Sequence, residues 1–164
     1  MMSNPFNVRD VAKLISCVIL CQLAGVIGSV FTISSIPTWY AGLNKPFFSP
    51  PNWVFGPVWI TLYAMMGVAL YLILRKGLKE KGVKDAILIF LAQLALNAVW
   101  SIAFFGLKSP LVGLIVITLL WFAIAFTIIC FIRLSKTGAI LLIPYILWVS
   151  FAAVLNLAIW AINP

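Results

Sequence analysis

Between Asn44 and Trp59 the sequence reads NKPFFSPPNWVFGPVW, with four prolines, three phenylalanines, two tryptophans and one charge in sixteen residues. Aromatic faces stack on flat apolar molecules, and an indole N–H adds a hydrogen-bond donor. Proline holds the backbone around it extended or turned. Conventional catalytic groups are scarce by comparison. The chain has no histidine, and its three acidic residues, Asp10, Glu80 and Asp85, fall at the margins of apolar runs beside basic residues. Neither a Ser-His-Asp triad nor a pair of carboxylates can be assembled from this set. A metal would find Cys17 and Cys21 one helical turn apart and Cys130 alone, which read better as small packing or lipid-facing residues than as ligands. Proton-coupled transport normally places an ionisable side chain near the bilayer midplane, and no apolar run here contains one. Stacking and neutral hydrogen bonding are therefore the chemistry on offer, which points to binding and leaves enzymatic turnover undecided.

The elements that carry these residues follow from composition. Of 164 residues 65% are apolar and 9% charged, and the mean hydropathy is +1.19, far outside the range of soluble domains. Uncharged stretches run from Leu14 to Asn44, Pro46 to Leu74, Ala86 to Leu107, Ser109 to Ile132 and Thr137 to Pro164. Each exceeds the roughly 20 apolar residues that cross a hydrocarbon core. Backbone groups in lipid must pair within their own segment, so such runs are helices, and no barrel-like alternation is present. The fold class is all-α, one five-helix transmembrane domain over residues 1–164. Its helices are expected at about 11–34, 57–74, 85–105, 110–133 and 138–162. Pro57 and Pro110 are expected in first turns, where a missing N–H costs nothing, and Gly138 is expected at a tight reversal. Arg9, Lys13, Arg75, Lys76, Lys79, Lys81, Lys84, Arg133 and Lys136 fall on one side, and only Lys45 and Lys108 on the other. That asymmetry predicts a multi-pass protein with its N-terminus inside and its first loop outside, as in a prokaryotic plasma membrane. The net charge of +8 then reports topology, with anionic-lipid attraction secondary and no nucleic-acid partner expected.

The one long connection, residues 36–56, is low in charge and rich in rings, which argues against disorder and for function. Trp39 and Trp53 flank or lie in it, and Trp59 follows it. Trp148 lies one turn past Pro144 and would have to sit near mid-depth to join them. The alternative for tryptophan in a membrane protein is an interfacial belt, the preferred reading for Trp121 and Trp160. Gln93, Asn97 and Ser101 form a polar stripe at i, i+4 and i+8 on helix three, with Ser150 and Asn156 on helix five. For Asn97, ligand contact and interhelical bonding stand level; for Gln93 and Asn156, bonding between helices is favoured. A pocket of rings with a few neutral polar groups suits a flat apolar ligand with polar edges.

Three segments in order, WYAGLNKPFFSPPNWVFGPVWITLYAMMG (Trp39–Gly67), QLALNAVWSIAFFG (Gln93–Gly106) and IPYILWVSFAAVLNLAIWAIN (Ile143–Asn163), together resemble the tryptophan-rich sensory protein and translocator protein family, TspO/MBR, also called the peripheral benzodiazepine receptor family. The resemblance implies a five-helix bundle, often dimeric, whose first loop is a lid over a pocket for porphyrins and isoquinoline carboxamides. It also implies that Tyr40, Trp59, Asn97 and Ser101 line that pocket, with Trp148 facing Trp59 across it. In bacterial members those two indoles are associated with light-driven degradation of bound porphyrin, so Trp59 and Trp148 are the candidates for photochemistry. With Trp39 and Trp53 added from their position at the loop, the expected ligand set is Trp39, Tyr40, Trp53, Trp59, Asn97, Ser101 and Trp148, with protoporphyrin IX or haem as ligand, no required cofactor and no metal.

Departures from the family pattern limit what carries over. The usual KPSWxPP reads KPFFSPP, so Phe48 replaces an indole and its N–H. The cholesterol motif of animal members lacks its tyrosine and basic residue, with Leu157 and Ala161 in their places, and cholesterol transport is not expected. Without histidine, haem would be held by its macrocycle rather than its iron. The expected function is a tetrapyrrole-binding sensor or regulator that sequesters protoporphyrin-like ligands and promotes their light-dependent loss. The other reading is a proton-independent facilitator for small apolar or amphipathic molecules. Ala24-x-x-x-Gly28 and Gly25-x-x-x-Ser29 permit close helix approach, either in a homodimer or within the chain.

Overall fold

A computed structural model describes residues 8–163 and is helical throughout, with no strand among those residues. Residues 1–7 and Pro164 of the single-domain reading lie outside the described residues. Helix α1 spans Val8–Ser35, α2 Asn52–Leu74, α3 Val83–Ser101, α4 Pro110–Leu134, α5 Lys136–Leu141 and α6 Ile143–Ile162. Five spans result, because α3 continues through a π-turn at Ile102–Gly106 and α5 runs on into α6 as one segment, each long and apolar enough to cross a membrane.

Lipid is as apolar as leucine, so packing between these helices rests on shape more than on an apolar face. Large residues of α1 such as Ile15, Ile19, Leu23 and Ile27 stay exposed, and its buried face is the small set Cys17, Cys21 and Gly28. Both cysteines are thus packing residues. A Cβ on Gly25 would overlap the Tyr63 ring, and one on Gly28 would come within 2.9 Å of Ser101 Oγ. The small residues of α1 are therefore occupied by packing within the protomer. Around the bundle α1 lies between α2 and α3, α4 between α3 and α6, and α2 meets the fifth span chiefly through α5. The ring of helices closes tightly at the end that carries the basic loops, where Ile73, Phe90, Ile124, Phe131 and Leu142 are fully buried.

Local differences from the sequence expectations have identifiable causes. Helix α2 begins at Asn52, five residues before the expected start, because Pro50 and Pro51 end the extended segment and Pro51 caps the helix. Pro57 consequently lies inside α2, not in its first turn, and leaves the Trp53 carbonyl without its helical partner. Pro110 does occupy the start of α4, with the Ser109 hydroxyl accepting from the Val112 N–H at 3.3 Å. The reversal before the fifth span is made by Ser135, not Gly138: its backbone is extended, and its hydroxyl accepts the Gly138 N–H at 3.1 Å. Between α2 and α3 the chain turns on Gly77 and Gly82, both with φ near +90° (90° and 85°), a region that favours glycine.

Candidate functional site

At the other end of the bundle, where the long loop lies, the helices enclose a cavity of about 490 Å³ walled by α1, α2, the end of α3 and α6. Small-molecule sites commonly enclose about 300–1,000 Å³. The α3 wall depends on the π-turn, closed by the Leu107 N–H donating to the Ile102 carbonyl at 2.8 Å. Such turns shift the register of a helix and recur at functional sites. Here Ser101, Phe104 and Phe105 all line the cavity.

A stapled segment roofs this space. Irregular chain covers residues 36–51, with one 3₁₀ turn at Tyr40–Gly42. Asn163 holds it from the far end of the sequence: its Oδ1 accepts the Asn44 N–H at 2.9 Å and its Nδ2 donates to the Asn44 carbonyl at 3.0 Å. The Ser35 hydroxyl donates to the Phe105 carbonyl at 2.9 Å and ties the end of α1 to the π-turn. Tyr40 is buried beneath, with its ring 5.7 Å from Phe105 and the Lys45 ammonium 4.9 Å above its own ring. Burial pushes the Tyr40 hydroxyl above the ordinary tyrosine range, against the opposing hydrogen bond of Ser49.

The floor is polar but self-contained. Tyr63 donates from its hydroxyl to Asn97 Oδ1, Asn97 Nδ2 donates to the Tyr145 hydroxyl at 2.9 Å, and Tyr145 donates to Gln93 Oε1 at 2.9 Å. Gln93 Nε2 ends the chain without a partner among the described residues. Trp59 stacks over Tyr63 at 5.5 Å between centroids and meets Tyr145 edge-on at 6.3 Å.

Of the residues singled out from sequence, Tyr40, Trp53, Trp59 and Ser101 line the cavity. Trp53 does so from the first turn of α2, not from the loop. Asn97 is not among the residues that line the space; its amide bonds to Tyr63 and Tyr145 in the floor. Trp39 lies behind the wall, packed on Phe104 at 5.5 Å. Trp148 stands one ring back, against Phe55 at 5.9 Å and Phe151 at 5.5 Å, and Phe55 is the ring that faces the cavity. Asn156 joins two roles: it lines the cavity, accepts from Trp100 Nε1 at 3.3 Å and donates to the Pro110 carbonyl at 2.7 Å. Trp121 is not a simple belt residue, since its Nε1 donates to Ser150 at 2.8 Å. Trp100, Phe104, Phe105 and Tyr63 were missed. Their signal was present as the neighbours of Ser101 at helical spacing and the residue one turn past Trp59. Among the described residues no three His, Cys, Asp or Glu side chains gather as a metal site.

A five-span helical membrane protein with an aromatic cavity under a tied loop is the class that this fold and site define. Comparison with known proteins gives the family: the TspO/MBR family model matches residues 17–161. The chain is 44% identical over 156 residues to the tryptophan-rich protein TspO of Chlorobaculum tepidum, covering 95% of this chain and 99% of that one. It is 40% identical over 144 residues to the translocator protein of Homo sapiens (87% and 85%), and 34% identical over 125 residues to the tryptophan-rich sensory protein of Cereibacter sphaeroides (76% and 77%). The chain belongs to the TspO/MBR family and is an integral membrane protein.

Proposed function

We propose that the protein is a membrane-embedded sensor or regulator that sequesters flat tetrapyrroles of the protoporphyrin type and promotes their light-dependent degradation. The observation that carries this reading is the cavity: Trp59, Trp100, Phe104 and Phe105 supply ring faces and edges, and Ser101 and Asn156 supply neutral polar groups. Stacking on such rings contributes about 0.5–1.5 kcal/mol per pair beyond area burial. Trp59 touches the ligand directly and Trp148 lies one ring away through Phe55, an arrangement that puts one indole in contact and a second within reach. The same cavity accepts isoquinoline-carboxamide-like molecules, which share the flat apolar body and polar edge. The closed floor favours holding over passage, because a through-path would have to break the Tyr63, Asn97, Tyr145 and Gln93 chain. In this reading the basic end faces the cytoplasm of a prokaryotic plasma membrane. The protein pairs as a homodimer through a helix face other than Gly25 and Gly28.

The test is a titration of purified protein with protoporphyrin IX in the dark and then under illumination, with Trp59→Phe and Trp148→Phe beside wild type. Saturable quenching of tryptophan fluorescence below roughly 100 µM, equivalent to more than about 5 kcal/mol, is expected in all three. Light-dependent porphyrin loss is expected to fall in both variants, more in Trp59→Phe. Equal loss in all three would remove the indoles from the photochemistry, and no saturable quenching would remove the binding role.

A further inference from the structure

We infer that the cavity takes its ligand from within the bilayer, through a lateral opening between α1 and α2, and so selects molecules already dissolved in the membrane. This rests on the cavity being the binding site. Its walls are sharply unequal. On the α3 and α6 side, Phe104, Leu155 and Ile159 are 3%, 5% and 1% exposed; on the α1 and α2 side, Val26, Ile33, Trp53 and Ile60 are 57%, 69%, 74% and 62% exposed while lining the same space. These four stand on two membrane-spanning helices, so what meets their outer surface is lipid.

The opening has definite edges. Below it the two helices are locked, where Gly67 admits the Val18 backbone. Gln22 forms the sill: its Nε2 crosses from α1 to the Ile60 carbonyl at 2.9 Å. Above that bond no hydrogen bond joins the two helices among the described residues, and Gly56 on the threshold has nothing within 4 Å of where a Cβ would stand. From Trp53 to Ile60 the gap follows α2 for roughly 10 Å at 1.5 Å per residue. The water-facing route is closed by contrast, with Tyr40 buried under the loop and Asn44 held by two bonds from Asn163. An apolar molecule with one polar edge fits this entrance: its body crosses a lip of Val26, Ile33 and Ile60, and its edge meets Gln22 and Ser29, which line the space just inside.

The experiment measures association and dissociation of protoporphyrin IX by stopped-flow tryptophan quenching, with protein in lipid nanodiscs. Gly56→Phe puts a ring in the opening, and Asn163→Ala frees the loop. Lateral entry predicts that Gly56→Phe slows both rates at least fivefold with the equilibrium constant within twofold, that Asn163→Ala leaves both rates within twofold, and that the association rate follows the porphyrin-to-lipid ratio at constant total porphyrin. If Gly56→Phe does not fold, Ile60→Ala widens the opening and must speed both rates. Rates accelerated by Asn163→Ala and untouched at Gly56 and Ile60 overturn lateral entry while leaving the binding site intact. Absence of saturable binding in wild type overturns the binding role itself, and lateral entry with it.

Discussion

The two ends of the bundle use the same helices to opposite ends. Toward the basic loops, α1 and α2 touch backbone to backbone at Gly67 and Val18, Phe90 stacks on Phe131 at 5.8 Å, and α5 closes the ring against α2. Toward the long loop, α3 shifts into a π-turn, and about 490 Å³ is left open under a tied segment. Tight packing at one end permits a cavity at the other, because the floor chain from Tyr63 to Gln93 separates them and bonds within itself except at Gln93 Nε2. The difference teaches that tight packing and open space are divided along the bundle axis. Substitutions should therefore sort by depth.

The largest effect is expected at Gly67→Val. Added methyl groups would press on the Val18 backbone, which cannot move as a side-chain tip can, and overpacking of this kind costs about 1–3 kcal/mol or more. A marked drop in the thermal midpoint in detergent, measured by circular dichroism, is the expected readout; an unchanged midpoint would break the claim that this end is the rigid one. Next comes Asn97→Ala, which strands the Tyr63 hydroxyl and leaves Tyr145 with only its bond to Gln93. Each buried unpaired group costs about 1–3 kcal/mol in soluble proteins, and less in bilayers, where average coupling is about 0.6 kcal/mol. Stability should fall by about 1–2 kcal/mol, with porphyrin affinity altered less than threefold; a larger loss of affinity than of stability would return Asn97 to the binding surface.

The smallest effects belong to the loop. Asn163→Ala should raise amide hydrogen exchange in residues 36–51 while changing the unfolding free energy by no more than about 0.5 kcal/mol, the range for sites outside the core. Tyr40 adds a pH dependence of defined sign. Its burial raises the hydroxyl above the ordinary value near 10, so the folded loop favours the neutral form. That contribution is fully present below about pH 10 and is lost as pH rises through the higher folded value. Exchange in the loop should be flat from pH 6 to 9, once corrected for intrinsic rates, and loosening below pH 9 would contradict it.

Much of this division was legible in the sequence and some was not. Uninterrupted apolar length gave the five spans, and the proline-aromatic run gave the loop, because each rests on a local property of the chain. The start of α2 was misplaced because Pro57 was read as a boundary, when Pro51 is the cap and Pro57 is tolerated within the helix. The polar stripe Gln93, Asn97, Ser101 occupies one face of α3, yet its members divide between floor and wall. The π-turn after Ser101 turns Phe104 and Phe105 toward the space, and no sequence period announces it. Trp148 packs on Phe55, which lines the space in front of it, a relation that no sequence spacing shows. Resemblance to the family carried the identity of the fold; the depth of each ring came from three-dimensional contacts.

The central claim is that the space between α2 and α6 at the loop end is the ligand site. Ala152 lies on its wall, and Ala152→Phe would fill part of it while leaving the Tyr63 to Gln93 floor in place. Equilibrium titration of detergent-purified wild type and Ala152→Phe with protoporphyrin IX in the dark, with thermal midpoints recorded alongside, tests the claim most directly. The account predicts saturable quenching in wild type and at least tenfold weaker binding in the variant at a similar midpoint. Equal affinity in the two proteins would contradict it and move the ligand to a different surface.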